Sequence, residues 1–142
     1  MTAAWVAAEL IPAADRDVPP GAPIRLAAAR CSACGRCSFP ATGTCTWCGT
    51  PGSDPVLLAE GTAVAATAVL HRTPGAVVAV PYVVALARFG RAGLDVLGRV
   101  PGAAGPAAVP AGTPLRVVAE SLPDGRMHYA FALREELTHG SS

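Results

Sequence analysis

From residue 61 onward, apolar and polar positions come in short runs of two-residue period, the spacing of strands with one buried face. Residues 61–70 read as a strand, bent or bulged at its small side chains, and Thr73-Pro74-Gly75 then turns the chain. Residues 76–88 form a long apolar run, too rich in valine for a helix. Pro81 interrupts it and calls for a bulge or a strand edge. Over 94–100 the alternation is clean, with Leu94, Val96, Gly98 and Val100 on one face and Asp95, Leu97 and Arg99 on the other. Residues 100–114 are a Pro, Gly and Ala loop, and 115–120 a strand with Leu115, Val117 and Ala119 together on one face. Leu122-Pro123-Asp124-Gly125-Arg126 is a hairpin turn, because Pro presets φ and Gly accepts the left-handed position. Residues 127–133 close the set, with Tyr129, Phe131 and Leu133 on one face. Five short strands with a long connection between the third and fourth predict a mainly β fold, a closed Greek-key barrel of the OB type. A five-stranded sandwich shares the pattern, but closure disposes of the unpaired edges that an open sheet would leave.

Upstream the periodicity fails. Residues 5–11 fit a short helix or strand, and Pro12, Pro19, Pro20 and Pro23 break anything longer. Residues 24–30 then lead into a cysteine-rich stretch that ends in a Pro, Gly, Ser and Asp exit loop over 51–55. The expected organisation is a lead-in segment over 1–30, a ribbon over 31–55, a barrel over 56–136 and a disordered tail over 137–142.

The cysteines carry the chemistry. Cys31-Ser-Ala-Cys34-Gly35 and Cys45-Thr-Trp-Cys48-Gly49 are two knuckles separated by ten residues. Two residues between sulfurs let one tight turn aim both thiolates at a point. The second pair completes a tetrahedron of the kind Zn²⁺ takes in structural sites, with Zn–S near roughly 2.3 Å. Gly35 and Gly49 supply the permissive backbone after each second cysteine. Cys31, Cys34, Cys45 and Cys48 are therefore the metal ligands of a rubredoxin-like zinc ribbon. Iron suits the same four sulfurs, so the spacing leaves the metal open. Cys37 is a fifth thiol in a further C-x-x-C spacing, and a four-sulfur site leaves it spare. An odd cysteine count without a secretory leader argues against disulfides, and no thioredoxin-like βαβ context supports redox use.

Composition narrows the rest. Formal net charge is +1, Arg is the only strong cation, and Lys, Asn and Gln are absent. Such a chain offers no broad electrostatic footprint for a phosphate backbone. The longest uncharged apolar stretch, 73–87, is too short for a bilayer and holds two prolines. The expectation is a cytoplasmic protein without a membrane segment.

A four-cysteine ribbon followed directly by a five-stranded barrel resembles the DUF35-type zinc-ribbon and OB-fold family. The resemblance rests on Cys31, Cys34, Cys45 and Cys48, the strand opening at Gly61, Pro81-Tyr82-Val83-Val84-Ala85-Leu86, and Gly112-Thr113-Pro114-Leu115-Arg116-Val117. It covers about residues 26–133. It implies a non-catalytic accessory subunit of thiolases, of ketosynthase-like acyltransferases or aldolases, or of MaoC-type hydratases. Such a subunit helps present acyl groups carried on coenzyme A or acyl carrier protein. Members commonly open with an amphipathic helix, from which the Pro-rich residues 12–23 depart.

The residues themselves agree with a non-enzyme, since His71, His128 and His139 are scattered and no nucleophile–base spacing stands out. The competing function is single-stranded nucleic-acid binding, which needs a basic groove with exposed aromatics. With aromatics at 5% of residues and no arginine cluster flanking them in sequence, it ranks second. Residues 76–87 and the loop 100–114 are candidate contact surfaces. Because most of 76–87 suits a central strand, the edge around Pro81 and Tyr82 remains for a partner. Arg72, Arg88 and Arg91 could meet phosphates, although isolated surface arginines more often serve solubility.

Overall fold

The computed structural model describes residues 4–134, so the expected tail over 137–142 and His139 lie outside the described residues. Two antiparallel sheets follow one another along the chain. The first comprises β1 (Leu26–Cys31), β2 (Cys37–Ser38) and β3 (Ser53–Leu58) in the order β2-β1-β3. The second comprises β4 (Glu60–Val69), β5 (Tyr82–Phe89), β6 (Leu94–Arg99), β7 (Pro114–Ser121) and β8 (Met127–Leu133) in the order β6-β5-β4-β7-β8. The second sheet curls into a half-barrel. The bulge expected among the small residues of β4 falls between Ala63 and Ala65, where two residues face one on β5 and bend the strand.

The outer strands β6 and β8 are not ladder partners. Side chains span the gap instead. The Tyr129 hydroxyl on β8 donates to Leu97 O on β6 at 2.6 Å, and Arg99 Nη1 on β6 reaches past β8 to Glu120 Oε1 on β7 at 2.8 Å. Gly98 lies flat beneath the Phe131 ring, so close that a Cβ there would stand 2.7 Å from the ring carbon Cε2. Burial raises the pKa of Tyr129, which keeps its hydroxyl protonated as the donor that this bridge needs.

Alternation places Leu115, Val117, Ala119, Val96, Phe89, Met127 and Phe131 inside, each at most 5% exposed. The same apolar cluster takes in Leu26, Ala28 and Leu58 from the first sheet, so the base of the ribbon and the half-barrel share one core. Each large apolar side chain in it contributes about 1.5–3 kcal/mol on full burial. Ile11 and Ile24 of the lead-in belong to this core as well, at 1% and 2% exposure.

Three expectations change. The lead-in is a strap over the barrel, without an α-helix among its described residues. Its 3₁₀ turns are Ala8–Leu10 and Ala13–Asp15, and its backbone completes ladder edges through Val6 N to Met127 O at 2.9 Å and Gly21 N to Ala119 O at 2.7 Å. Its prolines break helices but leave these bonds free to form. Ser53, Asp54 and Pro55 belong to β3, where an exit loop was expected. Pro55 is tolerated because β3 is an edge strand, paired only to β1. Residues 76–81 precede β5 and are not strand. β4 ends at Val69, opposite Tyr82, so nothing remains for them to pair with. Ala76 N instead closes a turn on Thr73 O, and the Arg72 guanidinium donates to Ala76 O.

Candidate metal centre

Each cysteine knuckle is the same local structure used twice. Gly35 N donates to Cys31 O and Gly49 N to Cys45 O, both at 3.0 Å, and both glycines sit at φ 77°. That conformation strains any residue with a Cβ, which accounts for glycine at both places. Cys31 N donates to Arg36 O at 2.8 Å and Cys45 N to Thr50 O at 3.0 Å, closing the two loops. Inside them, the amides of Ala33 and Cys34 point at Cys31 Sγ (3.4 and 3.5 Å) and that of Trp47 at Cys45 Sγ (3.3 Å). At Cys45, backbone hydrogen bonds from Cys48 and Trp47 lower the pKa of the thiol.

The knuckles face each other, with Cys31 on the β1 end and Cys45 brought opposite by the bridge between Thr44 and Pro51. Cys31 Sγ lies 3.6 Å from Cys48 Sγ, and Cys34 Sγ lies 3.6 Å from Cys45 Sγ. All four sulfurs fall within 4.8 Å of one another. A tetrahedron with metal–sulfur bonds near 2.3 Å has sulfur–sulfur edges of roughly 3.8 Å, so the four cysteines are positioned to hold a metal ion. Hydrogen bonds from Thr50, side chain first and backbone second, bring the Cys48 thiol down to about 6, whereas at Cys34 a lowering bond from the Arg36 backbone is outweighed by burial and the facing sulfurs, which push it up to about 11. Cys37 is buried on β2 and stands outside the four-sulfur group.

The remaining candidates are dispersed. Pro81 is exposed and Tyr82 half-buried at the start of β5, with the Arg99 guanidinium 5.2 Å from the Tyr82 ring centroid. Of the three arginines considered for phosphate, Arg88 is held by Asp95 (2.9 Å) and Arg72 is committed to its own loop. Arg91 alone of the three stays unpaired among the described residues. His128 is half-buried against the Tyr129 ring at 4.6 Å, and burial, aided by Arg99, lowers its pKa. Within the described residues no helix is long and apolar enough to cross a membrane.

These features define a class: a four-cysteine ribbon whose base is fused to an OB-type half-barrel through one core. No family model and no curated protein matches the chain. Among solved structures it is similar to a chain of the Ltp2-ChsH2(DUF35) aldolase. Identity is 25% and the TM-score 0.62, over 77% of this chain and 84% of that one. The resemblance to DUF35-type proteins thus extends from motif order to three-dimensional architecture.

Proposed function

We propose that this chain is a non-catalytic accessory subunit that binds a thiolase-like enzyme and helps present its acyl-CoA or acyl-carrier-bound substrate. The observation that carries the proposal is the likeness to the DUF35 aldolase structure over most of both chains. The metal is zinc, held by Cys31, Cys34, Cys45 and Cys48. Four thiolates fill a tetrahedral site and leave no position for substrate or water, so the metal's work is structural. A MaoC-type hydratase is the next partner class.

The barrel end around Pro81 and Tyr82 is the proposed contact. Leu70 is 64% exposed and falls beside Pro81, because Val69 pairs with Tyr82 across β4 and β5. An exposed leucine beside an exposed proline is apolar surface that a partner can cover, and tyrosine is among the residues enriched at interface centres. Tyr82 also lies by Arg99, so its removal disturbs the Arg99–Glu120 pair as well as the surface. Leu70→Asp is therefore the cleaner perturbation.

The test is co-expression with an untagged thiolase-like enzyme of the same organism, followed by affinity purification and size-exclusion chromatography. A co-eluting complex, weakened at least about tenfold by Leu70→Asp with zinc retained, is expected. A complex indifferent to Leu70→Asp would move the contact elsewhere. Failure to associate with any thiolase-like or MaoC-type enzyme would refute the accessory role, as would acyl-CoA turnover by the chain alone that a point substitution abolishes.

A further inference from the structure

A hollow of about 340 Å³ lies against β7 and β8, among residues that the metal centre does not use. Four parts of the chain enclose it: Pro20 and Gly21 of the strap, Pro101 and Gly102 after β6, and the two strands. Alternation explains its floor. Leu115, Val117 and Ala119 of β7 turn into the core, so Val118 and Glu120 turn away from it, and in the β7–β8 register Ala130 and Ala132 share that face. Side chains as small as these keep the floor low. The walls are equally bare, since a Cβ on Gly21 or Gly102 would meet nothing within 4 Å.

Two polar side chains line the hollow, the Glu120 carboxyl and the Ser121 hydroxyl. Glu120 is 15% exposed and receives one bond, from Arg99 Nη1 to its Oε1. Its Oε2 has no hydrogen-bond partner among the described residues. Arg99 is short of partners too: its Nε is buried without one, and its guanidinium lies 5.2 Å from the Tyr82 ring centroid. Arg99 thus fixes the carboxyl in place without saturating it. Burial raises the pKa of Glu120 against the pull of Arg99, as befits a carboxyl in an apolar wall. An oxygen so placed gains from any donor brought to it.

We propose that this hollow binds a compact, uncharged, ring-sized alcohol, whose hydroxyl donates to Glu120 Oε2 while its hydrocarbon body lies against Val118 and Ala132. Cavities of roughly 300–1,000 Å³ with an apolar lining and few polar groups are the usual form of small-molecule sites. An anion would face Glu120, and an ammonium would lose its hydration beside the Arg99 guanidinium; a hydroxyl does neither. An incoming peptide strand finds no free edge on β7, which bonds β8 on one side and β4 and the strap on the other. The site rests on the cavity and Glu120, independently of the accessory-subunit proposal.

The test is an NMR titration of the ¹⁵N-labelled, zinc-loaded full chain with decahydronaphthalen-2-ol and, separately, with decahydronaphthalene-2-carboxylate. The alcohol should shift the amides of Gly102, Ser121 and Ala132 with a dissociation constant of about 1 mM or tighter. The carboxylate should bind at least about tenfold more weakly. Ala132→Leu, which fills the floor, should weaken the alcohol about tenfold. Gly102, whose φ lies outside the left-handed region, offers a second blocking variant, Gly102→Leu, with the same expected effect. Glu120→Gln should erase the preference for alcohol over carboxylate, a readout that a loss of stability would not move, and Leu70→Asp should change nothing. Absence of shifts at these amides, shifts indifferent to both blocking variants, or a carboxylate bound as tightly as the alcohol would overturn the proposal. So would displacement of the alcohol by a thiolase-like enzyme whose association Ala132→Leu also weakens, because the hollow would then belong to the interface. Association with that enzyme is measured without the alcohol, so a failed alcohol site leaves the accessory role to stand or fall by its own test.

Discussion

Gly98→Ala should be costly for so small a change. The new Cβ would stand 2.7, 3.0 and 3.1 Å from three carbons of the Phe131 ring, where an ordinary contact is 3.4 Å or more. That ring is 1% exposed and flanked by Phe89 and Tyr129, with centroids 6.4 and 6.0 Å away, so it has little room to tilt. Overpacking of this kind costs about 1–3 kcal/mol. Replacing a strand glycine returns about 0.5–1 kcal/mol of chain entropy, leaving a net loss of about 0–2.5 kcal/mol, and three ring contacts at 3.1 Å or less put Gly98→Ala in the upper half of that range. For a chain of this size, that lowers the melting temperature by roughly 3–10 °C. The clean assay is a double-mutant cycle by urea unfolding of zinc-loaded protein. Phe131→Leu alone costs roughly 1–2 kcal/mol. Because it removes the ring atoms that the new Cβ would meet, the double variant should fall short of the summed losses by about 1 kcal/mol or more. Strict additivity, or a Gly98→Ala variant as stable as the parent, would refute the idea that this glycine lets β6 and β8 approach. Gly105→Ala is the control: nothing lies within 4 Å of its Cβ and its φ of −171° suits any residue, so it should be neutral or slightly stabilising.

Zinc analysis should find one metal per chain; Cys34→Ser or chelation should unfold the ribbon, since structural zinc supplies about 10–16 kcal/mol of apparent binding free energy in small modules. Cys37→Ser should leave metal content unchanged. Ile11→Ala should cost about 2–4 kcal/mol by chemical unfolding, because its side chain is 1% exposed in the shared core although it sits in a segment without regular strand. Asp15 receives three hydrogen bonds from Arg25, whose side-chain contacts hold its carboxyl below the usual value of 3.8. A depressed carboxylate stabilises the fold above its unfolded pKa and loses that contribution as pH falls through the folded one. Asp15→Asn should therefore be less stable than the parent at pH 5–7, and the two curves should converge as pH falls below about 4.

The gathering of the four cysteines was legible because its information is local: two turns, two glycines and a fixed spacing determine where four sulfurs point. The barrel strands were legible where one face is buried, as at Leu115, Val117 and Ala119, because burial imposes a period of two. Residues 76–81 misled for the opposite reason. Their composition suits a strand, yet whether a strand forms depends on a partner, and β4 ends too early to provide one. Ser53, Asp54 and Pro55 look like a loop and are held in β3 by β1, a long-range pairing that no short window records. The cavity beside Glu120 was hidden likewise. Pro20, Gly102, Glu120 and Ala132 come from separate stretches of sequence, and only the seating of the strap and the loop after β6 against β7 and β8 gathers them.

The strap formed by the lead-in also bears on how the molecule is made. During vectorial synthesis the two knuckles can close and take metal as soon as residue 50 or so clears the ribosome, since every contact they need is nearby in sequence. The strap has no such opportunity. Its backbone partners, Val117, Ala119 and Met127, are more than ninety residues downstream and are among the last described residues to be translated. The strap's ladder bonds must therefore wait while most of the chain is built. Contacts of such sequence separation are slow to form. The nascent chain thus carries a closed four-cysteine staple beside an apolar strap still in search of its place. Completion of the core is deferred until β8 arrives to receive it.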